Sequence, residues 1–501
     1  MASPKPTAPT GPFPPTTLHI LIVGAGFAGL SAAIECHRKG HRVTLFEKVS
    51  SIEDITRYGD IISFDPNGSR VFEKWIFSSD PSPSEGGSGA YEGKGISVAE
   101  RMEALARQTT WLDLFHYQGE FVTRQGFERE KKWGRRINGH RGELHRLIWE
   151  FVESKKGKGG IEVRWGVRVL DYFEGEGDAT DQKGGGGYAG VVIKTEDGKE
   201  EKVTGDVVLA AEGVRSRGRK LVLGLESDEQ PKSSGYAVYR AWFPSEDVVA
   251  KNPVTKHLVE NGDQHQGFIG PDIHFLASSI KNGSEINWVF THIDDGNIEE
   301  SWQFPGKPEE ALTYLEGWCP VVRELVKATP PGRLIDYKLV YREPLPTFVS
   351  PKGRIALIGD AAHPFLPTSI QGASQSIEDG SVVAACLQLA HHSNKYGQLA
   401  KEQMVPTALK AFEKLRYERV HKAQANGPKM RERWHKANWD GPDGVWNNPE
   451  RIWLMREEWL LGFDSEADAY ARWSEVVEEI RKEEKGKNVV ELDERSGKAK
   501  L

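Results

Sequence analysis

The chain has 501 residues, of which 38% are hydrophobic and 28% charged, and its 66 basic and 73 acidic side chains leave a formal net charge of −7. This balance excludes the strongly basic surface typical of proteins that bind nucleic acid or anionic membranes. The sequence contains no run of 18 apolar residues, so we expect no membrane span, and its three widely spaced cysteines favour a reducing compartment.

The N-terminal region predicts a βαβ unit. Residues 1–17 are rich in proline and threonine and predict a disordered tail. An apolar run at 18–23 predicts a buried strand, a helical pattern extends from about Phe27 to Lys39, and a second strand is expected at 42–46.

The turn between the first strand and the helix has the spacing G-x-G-x-x-G, formed by Gly24, Gly26 and Gly29. The first glycine permits a tight turn, the second lets the backbone approach a pyrophosphate, and the third lets helix and strand pack closely. Glu47 ends the second strand, where a carboxylate can accept hydrogen bonds from a ribose. These features favour dinucleotide binding over a purely structural turn, but they do not distinguish FAD from NAD.

The middle of the chain alternates between loops and strands. Glycine-rich segments at 81–95, 155–160 and 174–190 predict surface loops because they contain too few apolar residues to pack. A mostly strand-like region extends from about 225 to 345, and the pattern from about 400 onward is helical and charged.

A second motif follows a buried strand predicted at 354–358. This strand ends in Gly359-Asp360, whose carboxylate can bind a polyol hydroxyl, and a proline-rich loop then leads to a helix that begins near Gly372. The N–H groups of Gly372 and Ala373 at this helix N-terminus suit the pyrimidine edge of a flavin, where the reduced cofactor carries negative charge.

Four blocks together resemble the FAD-dependent aromatic hydroxylases, the single-component flavoprotein monooxygenases that include salicylate hydroxylase and 4-hydroxybenzoate hydroxylase. The blocks are GAGFAGL at 24–30, HRGELHRLI at 140–148, AAEGVRSRGR at 210–219 and LIGDAAHPFLPTSIQGA at 357–373. The resemblance extends from about residue 18 to 425 and is strongest to fungal members of secondary metabolism, including those that oxidise indole alkaloids and meroterpenoids.

This resemblance implies an α/β fold, in which a Rossmann-like FAD-binding domain carries an inserted, mostly antiparallel β-sheet substrate domain and a helical C-terminal extension. We expect the extension, with six tryptophans, to pack against the FAD-binding domain rather than to bind a partner. The predicted boundaries are 1–17 for the disordered tail, 18–80, 135–222 and 346–400 for the FAD-binding domain, 81–134 and 223–345 for the substrate domain, 401–480 for the helical cap and 481–501 for a flexible tail.

The resemblance also assigns roles to individual residues. Arg240 and Tyr239 are the catalytic candidates; the alternatives are a surface ion pair for Arg240 and a core position for Tyr239. No metal site is expected, because neither H-E-x-x-H nor paired C-x-x-C occurs. The implied FAD contacts are Gly24, Gly26, Gly29 and Glu47 on the ADP half, Asp60 beside the cofactor, Arg141 at the diphosphate and flavin side, Asp360 at the ribityl chain or pyrophosphate, and Gly372 and Ala373 at the isoalloxazine ring.

Three positions depart from the family pattern. Glu212 replaces the aspartate of an Asp-Gly motif and is one methylene longer, and Gly218 occupies a position that is usually β-branched. Ile370 replaces a small residue before Gln371 and narrows the loop beside the flavin. We expect these changes to alter hydrogen bonding, flavin motion and nucleotide access without removing the cofactor site.

The implied activity is that of an FAD-dependent monooxygenase, which uses NAD(P)H and O₂ and a flavin C4a-hydroperoxide to insert one oxygen into an aromatic or electron-rich small molecule. Epoxidation of an indole or isoprenoid double bond, decarboxylative hydroxylation of a benzoate, and a non-enzymatic flavin-binding scaffold are the alternatives. We expect a cytoplasmic monomer or homodimer. The C-terminal Ala499-Lys500-Leu501 resembles the S-K-L signal and offers a peroxisomal alternative.

Overall fold

The computed structural model describes residues 13–56, 60–77, 95–156, 160–176, 187–225, 230–294 and 304–497, with side chains to residue 486. Most of the predicted glycine-rich loops lie outside these ranges. The strands are β1 (His19–Val23), β2 (Arg42–Phe46), β3 (Ile61–Phe64), β4 (Trp111–His116), β5 (Phe121–Gly126), β6 (Ile137–His140), β7 (Ile161–Arg164), β8 (Arg168–Gly175), β9 (Tyr188–Lys194), β10 (Glu200–Gly205), β11 (Val207–Ala210), β12 (Lys232–Pro244), β13 (His265–Gly270), β14 (Ile273–Ile280), β15 (Glu285–Ile293), β16 (Phe304–Pro305), β17 (Leu334–Tyr341) and β18 (Ile355–Leu357). The helices are α1 (Phe27–Arg38), α2 (Ile52–Thr56), α3 (Pro66–Phe72), α4 (Val98–Leu105), α5 (Arg141–Glu153), α6 (Gly218–Leu223), α7 (Pro308–Thr313), α8 (Pro320–Lys327), α9 (Gly372–Lys395), α10 (Lys401–Gln424), α11 (Asn426–His435), α12 (Glu458–Leu461) and α13 (Ser465–Gly497).

A five-stranded parallel sheet forms the centre of the first domain. Its strand order is β18-β11-β1-β2-β7, and Ile22 of β1 lies opposite Leu45 on one side and Leu209 on the other. The central strands β1, β11 and β18 are almost continuously apolar because both faces of the sheet are covered there and their residues are buried. The predicted βαβ unit and the buried strand predicted at 354–358 are therefore confirmed.

An eight-stranded sheet forms the second domain, in the order β16-β17-β12-β15-β14-β13-β4-β5, and its strands are antiparallel except for the β13–β4 pair. Successive residues of a strand point to opposite faces. On one face Tyr239, Trp288 and Phe290 pack with the helices α7 and α8. The opposite face carries Val238 and Arg240 and is turned toward the parallel-sheet domain.

The tryptophan-rich part of the C-terminal region lies mainly on the eight-stranded sheet, so the prediction that it packs against the FAD-binding domain is wrong for this part. Trp434 is 2% exposed and packs with Leu114 and Ile269, because β4 and β13 present apolar side chains that need a cover. Trp473 of α13 does pack into the core of the parallel-sheet domain, whereas Trp446 is 42% exposed.

The described structure extends into both of the predicted tails. The N–H group of Thr16 donates to the carbonyl of Gly40 at 2.7 Å, so chain packing begins within the predicted tail. Helix α13 continues to Gly497, although a flexible tail is predicted from residue 481. The glutamates and lysines of this segment have high helix propensity, which explains the difference. Among the described residues no helix is long and apolar enough to span a membrane.

Candidate functional site

The turn from β1 into α1 leaves the N-terminus of α1 open. Gly24 has φ +100°, and a Cβ there would lie 2.6 Å from the carbonyl oxygen of Ala211, while a Cβ on Gly29 would overlap the carbonyl oxygen of Gly24. A Cβ on Gly26 would meet no described atom within 4 Å. Gly26 is the N-cap and provides no side-chain cap, so the first N–H groups of α1 are available to an anion.

Glu47 and His145 hold this turn from opposite sides. Glu47 Oε2 accepts from the N–H of Ala25 at 2.6 Å, and Oε1 accepts from the N–H of Val49 at 3.1 Å. His145 Nε2 lies 2.7 Å from the Ala25 carbonyl, and burial lowers the pKa of His145 to about 3, so a neutral imidazole donates this bond. The sequence alone does not single out His145, although it lies four residues after Arg141 and therefore on the same helix face.

Arg141 and Asp360 face a common space without being hydrogen-bonded. The N–H of Arg141 donates to the Asp60 carbonyl at 2.8 Å, but its guanidinium makes no hydrogen bond to a described residue. Burial lowers the pKa of Arg141, while Asp60 and Asp360 raise it. Asp360 is accessible to solvent, yet the surrounding protein raises its pKa by desolvation, against the opposing effects of His363 and Arg141. An available cation and an available carboxylate suit a ligand that carries both phosphates and hydroxyls.

The N-terminus of α9 is also open. Gln371 precedes the helix without capping it, and the N–H groups of Gly372 and Ala373 bond to no described residue. A Cβ on Gly372 would lie 3.3 Å from Phe365 Cβ, so the loop is tight at this point. Ile370 has φ +55°, a left-handed conformation that is strained for a β-branched side chain. The family departure at residue 370 therefore lies directly before the helix expected to meet the flavin.

Arg240 of β12 forms an ion pair with Asp60, and this pair links the eight-stranded sheet to the segment that leads into β3. The two side chains are 15% and 29% exposed, so the contact lies within the interdomain space rather than on the open surface. The Arg240 guanidinium carbon also lies 5.8 Å from the ring centroid of Tyr337, on the same sheet face. Arg240 and Asp60, which are 180 positions apart, are thus brought together beside Arg141.

The structure does not bring Tyr239 to this site. Its ring is 3% exposed on the opposite sheet face to Arg240 and packs against Phe290 and His292 at centroid distances of 5.1 and 4.7 Å. Burial and a hydrogen bond to Asp336 raise the pKa of its hydroxyl. Adjacent residues of a strand cannot both face one site, so the prediction of a catalytic Tyr239 is corrected to a core tyrosine.

A buried ionic network, centred on Asp379 of α9, holds the Gly359-Asp360 turn in place. Asp379 of α9 accepts from the N–H of Gly359 at 2.8 Å, from His363 at 2.6 Å and from Arg416 Nε at 2.7 Å. His363 and Arg416 lower the pKa of Asp379 to about 2, although burial opposes this shift. Arg416 also pairs with Glu378. The network ties α10 to the turn, and no local motif in the sequence indicates it.

Two further departures have local explanations. Glu212 Oε2 accepts from Ser216 Oγ at 2.6 Å, and burial raises the pKa of Glu212. The longer side chain is thus satisfied within its own surroundings. A Cβ on Gly218 would lie 2.9 Å from Ala210 Cβ, so close packing explains the glycine. Within the described ranges, no three His, Cys, Asp or Glu side chains cluster as metal ligands.

Comparison with known proteins identifies the family. Residues 19–57 match the family model described as "FAD binding domain". Asperlicin C monooxygenase of Petromyces alliaceus is 32% identical over 482 residues, which cover 95% of this chain and 92% of that protein. The crystal structure of CtdE in complex with FAD and substrate 4 matches with a TM-score of 0.75 at 29% identity, covering 93% of this chain and 100% of that one.

A salicylate hydroxylase substrate complex has a TM-score of 0.64 at 21% identity, covering 90% of this chain and 97% of that one, which shows a shared fold. The predicted fold class, a Rossmann-like domain with an inserted, mostly antiparallel sheet and C-terminal helices, is confirmed. The match to asperlicin C monooxygenase covers nearly the full length of both proteins, which shows that they belong to one family. This chain therefore belongs to the FAD-dependent monooxygenases, a family of flavoprotein oxidoreductases.

Proposed function

We propose that this chain uses FAD, NAD(P)H and O₂ to insert one oxygen atom into an electron-rich ring or double bond of a small molecule in fungal secondary metabolism. The observation that carries the proposal is the convergence of open anion and polyol contacts from separate parts of the chain. The α1 N-terminus, Arg141, Asp360 and the α9 N-terminus all offer groups that have no hydrogen-bond partner among the described residues. The fungal relative named for asperlicin C supports a secondary-metabolite substrate.

The proposed FAD contacts follow from these groups. The N–H groups behind Gly26 bind the pyrophosphate, and Glu47, already fixed by Ala25, has remaining lone pairs for the ribose. Arg141 neutralises the diphosphate, and Asp360 accepts from the ribityl hydroxyls. FAD, when bound and reduced by NAD(P)H, supplies the activation of O₂.

The isoalloxazine contacts complete the proposed site. Gly372 and Ala373 direct their N–H groups at the pyrimidine edge of the flavin, where the helix N-terminus stabilises negative charge. Arg240 is the proposed catalytic residue, because it holds a positive charge on the sheet face turned toward this helix. Asp60 keeps the guanidinium in place. Decarboxylative hydroxylation with Arg240 as the carboxylate partner is disfavoured, since Asp60 already occupies that role.

Spectroscopy and turnover test the proposal. Purified protein is expected to be yellow with about one FAD per chain, the stoichiometry of a single site. Anaerobic mixing with NADH and with NADPH shows which one reduces the flavin. A panel of phenols, benzoates, indoles and prenylated aromatics then separates hydroxylation from epoxidation. Protein that stays colourless after incubation with FAD contradicts the proposal.

The cellular location stays a prediction. We propose the cytoplasm, with a peroxisomal address as the alternative. The tripeptide Ala499-Lys500-Leu501 that would carry this address lies outside the described residues. A fluorescent fusion with a free C-terminus, compared with the same fusion lacking Leu501, decides between the two: a peroxisomal signal that disappears on deletion supports the address, and an identical diffuse signal in both contradicts it.

A further inference from the structure

Two arginines lie between the eight-stranded sheet and the α9 N-terminus, and the cofactor site does not use them. Arg107 is buried, and the Arg136 side chain is 11% exposed. Arg107 follows α4 and is 4% exposed, and its Nη1 donates to Ser278 Oγ at 3.0 Å. Arg136 precedes β6, and its guanidinium carbon lies 4.0 Å from the ring centroid of Phe127. We call these two residues the arginine pair.

The arginine pair has donors without acceptors. Nε and Nη2 of Arg107 and Nη1 of Arg136 are buried and bond to no described residue. A guanidinium carries five donors and keeps its charge at neutral pH. Burying a charged guanidinium without a hydrogen-bond partner costs far more free energy than burying an unpartnered neutral amide. The arrangement therefore lacks an anionic acceptor.

The carboxylates nearest Arg136 are already engaged. Asp65 accepts from Arg456 at 2.9 and 2.7 Å, and Glu130 Oε1 accepts from the same guanidinium at 2.7 Å. Arg136 Nε lies 3.5 Å from Asp65 Oδ1, which is too long for a hydrogen bond. Burial and Arg456 together lower the pKa of Arg136 to about 10, although Asp65 and Glu130 raise it.

Arg107 is less well neutralised. Burial and Arg136 lower the pKa of Arg107 to about 9, and Asp263 offsets this only in part. The Asp263 oxygens accept from the backbone N–H groups of Gln108 at 2.8 Å and Gly283 at 3.3 Å. Burial holds the pKa of neighbouring His265 well below its usual value, so that imidazole adds no charge at neutral pH.

The arginine pair lies on the face of the eight-stranded sheet that is turned toward the proposed flavin site. Ser278 shares a sheet face with Asn287 and Trp242, and therefore with Arg240, two residues from Trp242. On the other side, the N–H of Asp65 donates to Ser374 Oγ at 2.9 Å, which places Arg136 next to the first turn of α9. The unpaired donors thus lie between the sheet and the helix that would meet the flavin.

We propose that Arg107 and Arg136 form an oxyanion subsite that binds a carboxylate of the substrate and holds its ring against the flavin. This inference rests on the proposed function, because it places the substrate in the space between sheet and flavin. Guanidinium donors suit a carboxylate, which can accept two parallel hydrogen bonds. The carboxylate is an anchor remote from the reacting carbon, so the substrate class is an electron-rich ring compound that carries a carboxylate.

The test compares anions with their neutral amides. The FAD-loaded enzyme is titrated with salicylate and with salicylamide, and the flavin absorbance change reports binding. We expect salicylate to bind at least about tenfold more tightly, the factor that one charge-assisted hydrogen bond can supply. Formate, small enough to reach the subsite alone, is expected to raise the Tm more than formamide does at equal ionic strength.

Substitutions assign the effect to the arginine pair. Arg107→Met is expected to retain FAD and to remove both the salicylate preference and the formate effect, with a ligand-free Tm at or above that of wild type because a buried unpaired charge is gone. If Arg107→Met does not fold, Arg107→Lys is used instead. Lysine keeps the positive charge but lacks the two parallel donors of a guanidinium, and we expect a smaller preference for salicylate over salicylamide. Arg135→Met is the control, since Arg135 is the adjacent arginine and pairs with Glu73 and Glu103 nearer the surface.

Several outcomes overturn the subsite. Equal binding of acid and amide, no binding of any probe to the FAD-loaded enzyme, or a preference that persists in both Arg107→Met and Arg136→Met each contradicts it. A preference lost equally in Arg135→Met also contradicts it, because the effect is then non-specific. Failure of the proposed function can be told apart from failure of the subsite, since in the first case the protein binds no FAD even before a probe is added.

Discussion

Gly26→Val tests where the FAD pyrophosphate binds. Gly26 has φ −72°, which valine adopts, and its Cβ would meet no described atom within 4 Å. The folded protein therefore tolerates the side chain, and we expect the apoprotein to lose at most about 1 kcal/mol, the usual range for an N-cap change. FAD binding is affected differently, because the new methyl groups would occupy the space through which the pyrophosphate approaches the α1 N-terminus.

The magnitude follows from the hydrogen bonds at risk. A hydrogen bond to a charged group contributes about 1.5–3 kcal/mol, so loss of two such bonds costs about 3–6 kcal/mol. FAD affinity is then expected to fall by about 100- to 10,000-fold. Apoprotein is titrated with FAD, flavin fluorescence gives the Kd, and thermal unfolding of the apoprotein checks folding.

Gly126→Val is the matched control. Gly126 also has no described atom within 4 Å of a built Cβ, but it lies on β5, at the edge of the eight-stranded sheet. We expect wild-type FAD affinity for this variant. A folded Gly26→Val variant that binds FAD as tightly as wild type would refute the placement of the pyrophosphate, and an equal loss in Gly126→Val would show that the effect is not local.

Arg240→Ala is expected to retain FAD but to lower kcat at least about 100-fold, the scale of removing one preorganised electrostatic contact, and Asp60→Asn is expected to act in the same direction. Steady-state turnover and flavin content are measured for both variants, and unchanged turnover would remove Arg240 from the site. Tyr239→Phe is expected to leave turnover within about twofold and to cost about 1 kcal/mol of stability through the lost Asp336 hydrogen bond, whereas a large loss of turnover at normal stability would restore its catalytic role. Because burial lowers the pKa of His145 to about 3, the unfolded state binds a proton between about pH 6.5 and pH 3 that the folded state does not. The contribution of His145 to the free energy of unfolding is therefore complete above pH 6.5. As the pH falls below 6.5, this contribution decreases by about 1.4 kcal/mol per pH unit. Urea unfolding at pH 7 and pH 5 is expected to show a smaller acid loss for His145→Gln, and an identical loss would contradict this.

Sequence spacing predicts the local backbone of the candidate site. The glycine turn, Glu47 and the α9 start at Gly372 are predictable because each depends on residues close together in the chain. The pairing of Arg240 with Asp60 is not predictable in this way, because it depends on how the eight-stranded sheet packs against a segment 180 positions away in sequence. Strand alternation could have excluded Tyr239 once Arg240 was placed at the site, since neighbours on a strand face opposite ways.

The remaining differences have the same origin. Trp434 covers the eight-stranded sheet because apolar side chains such as Leu114 and Ile269, distant in sequence, converge there. The ionic network around Asp379 and Arg416 joins two helices and has no short motif. Burial of guanidinium nitrogens that bond to no described residue, rather than composition, makes the arginine pair chemically distinctive, and this burial depends on the whole fold.

One measurement tests the monooxygenase proposal most directly: the source of oxygen in the product. FAD-loaded enzyme is incubated with NAD(P)H and a turned-over substrate from the panel under ¹⁸O₂, and the product mass is recorded. We expect one ¹⁸O atom in each product molecule and flavin reduction that the substrate accelerates. Product oxygen that comes from water, or consumption of NAD(P)H and O₂ without labelled product for every compound tested, would contradict it.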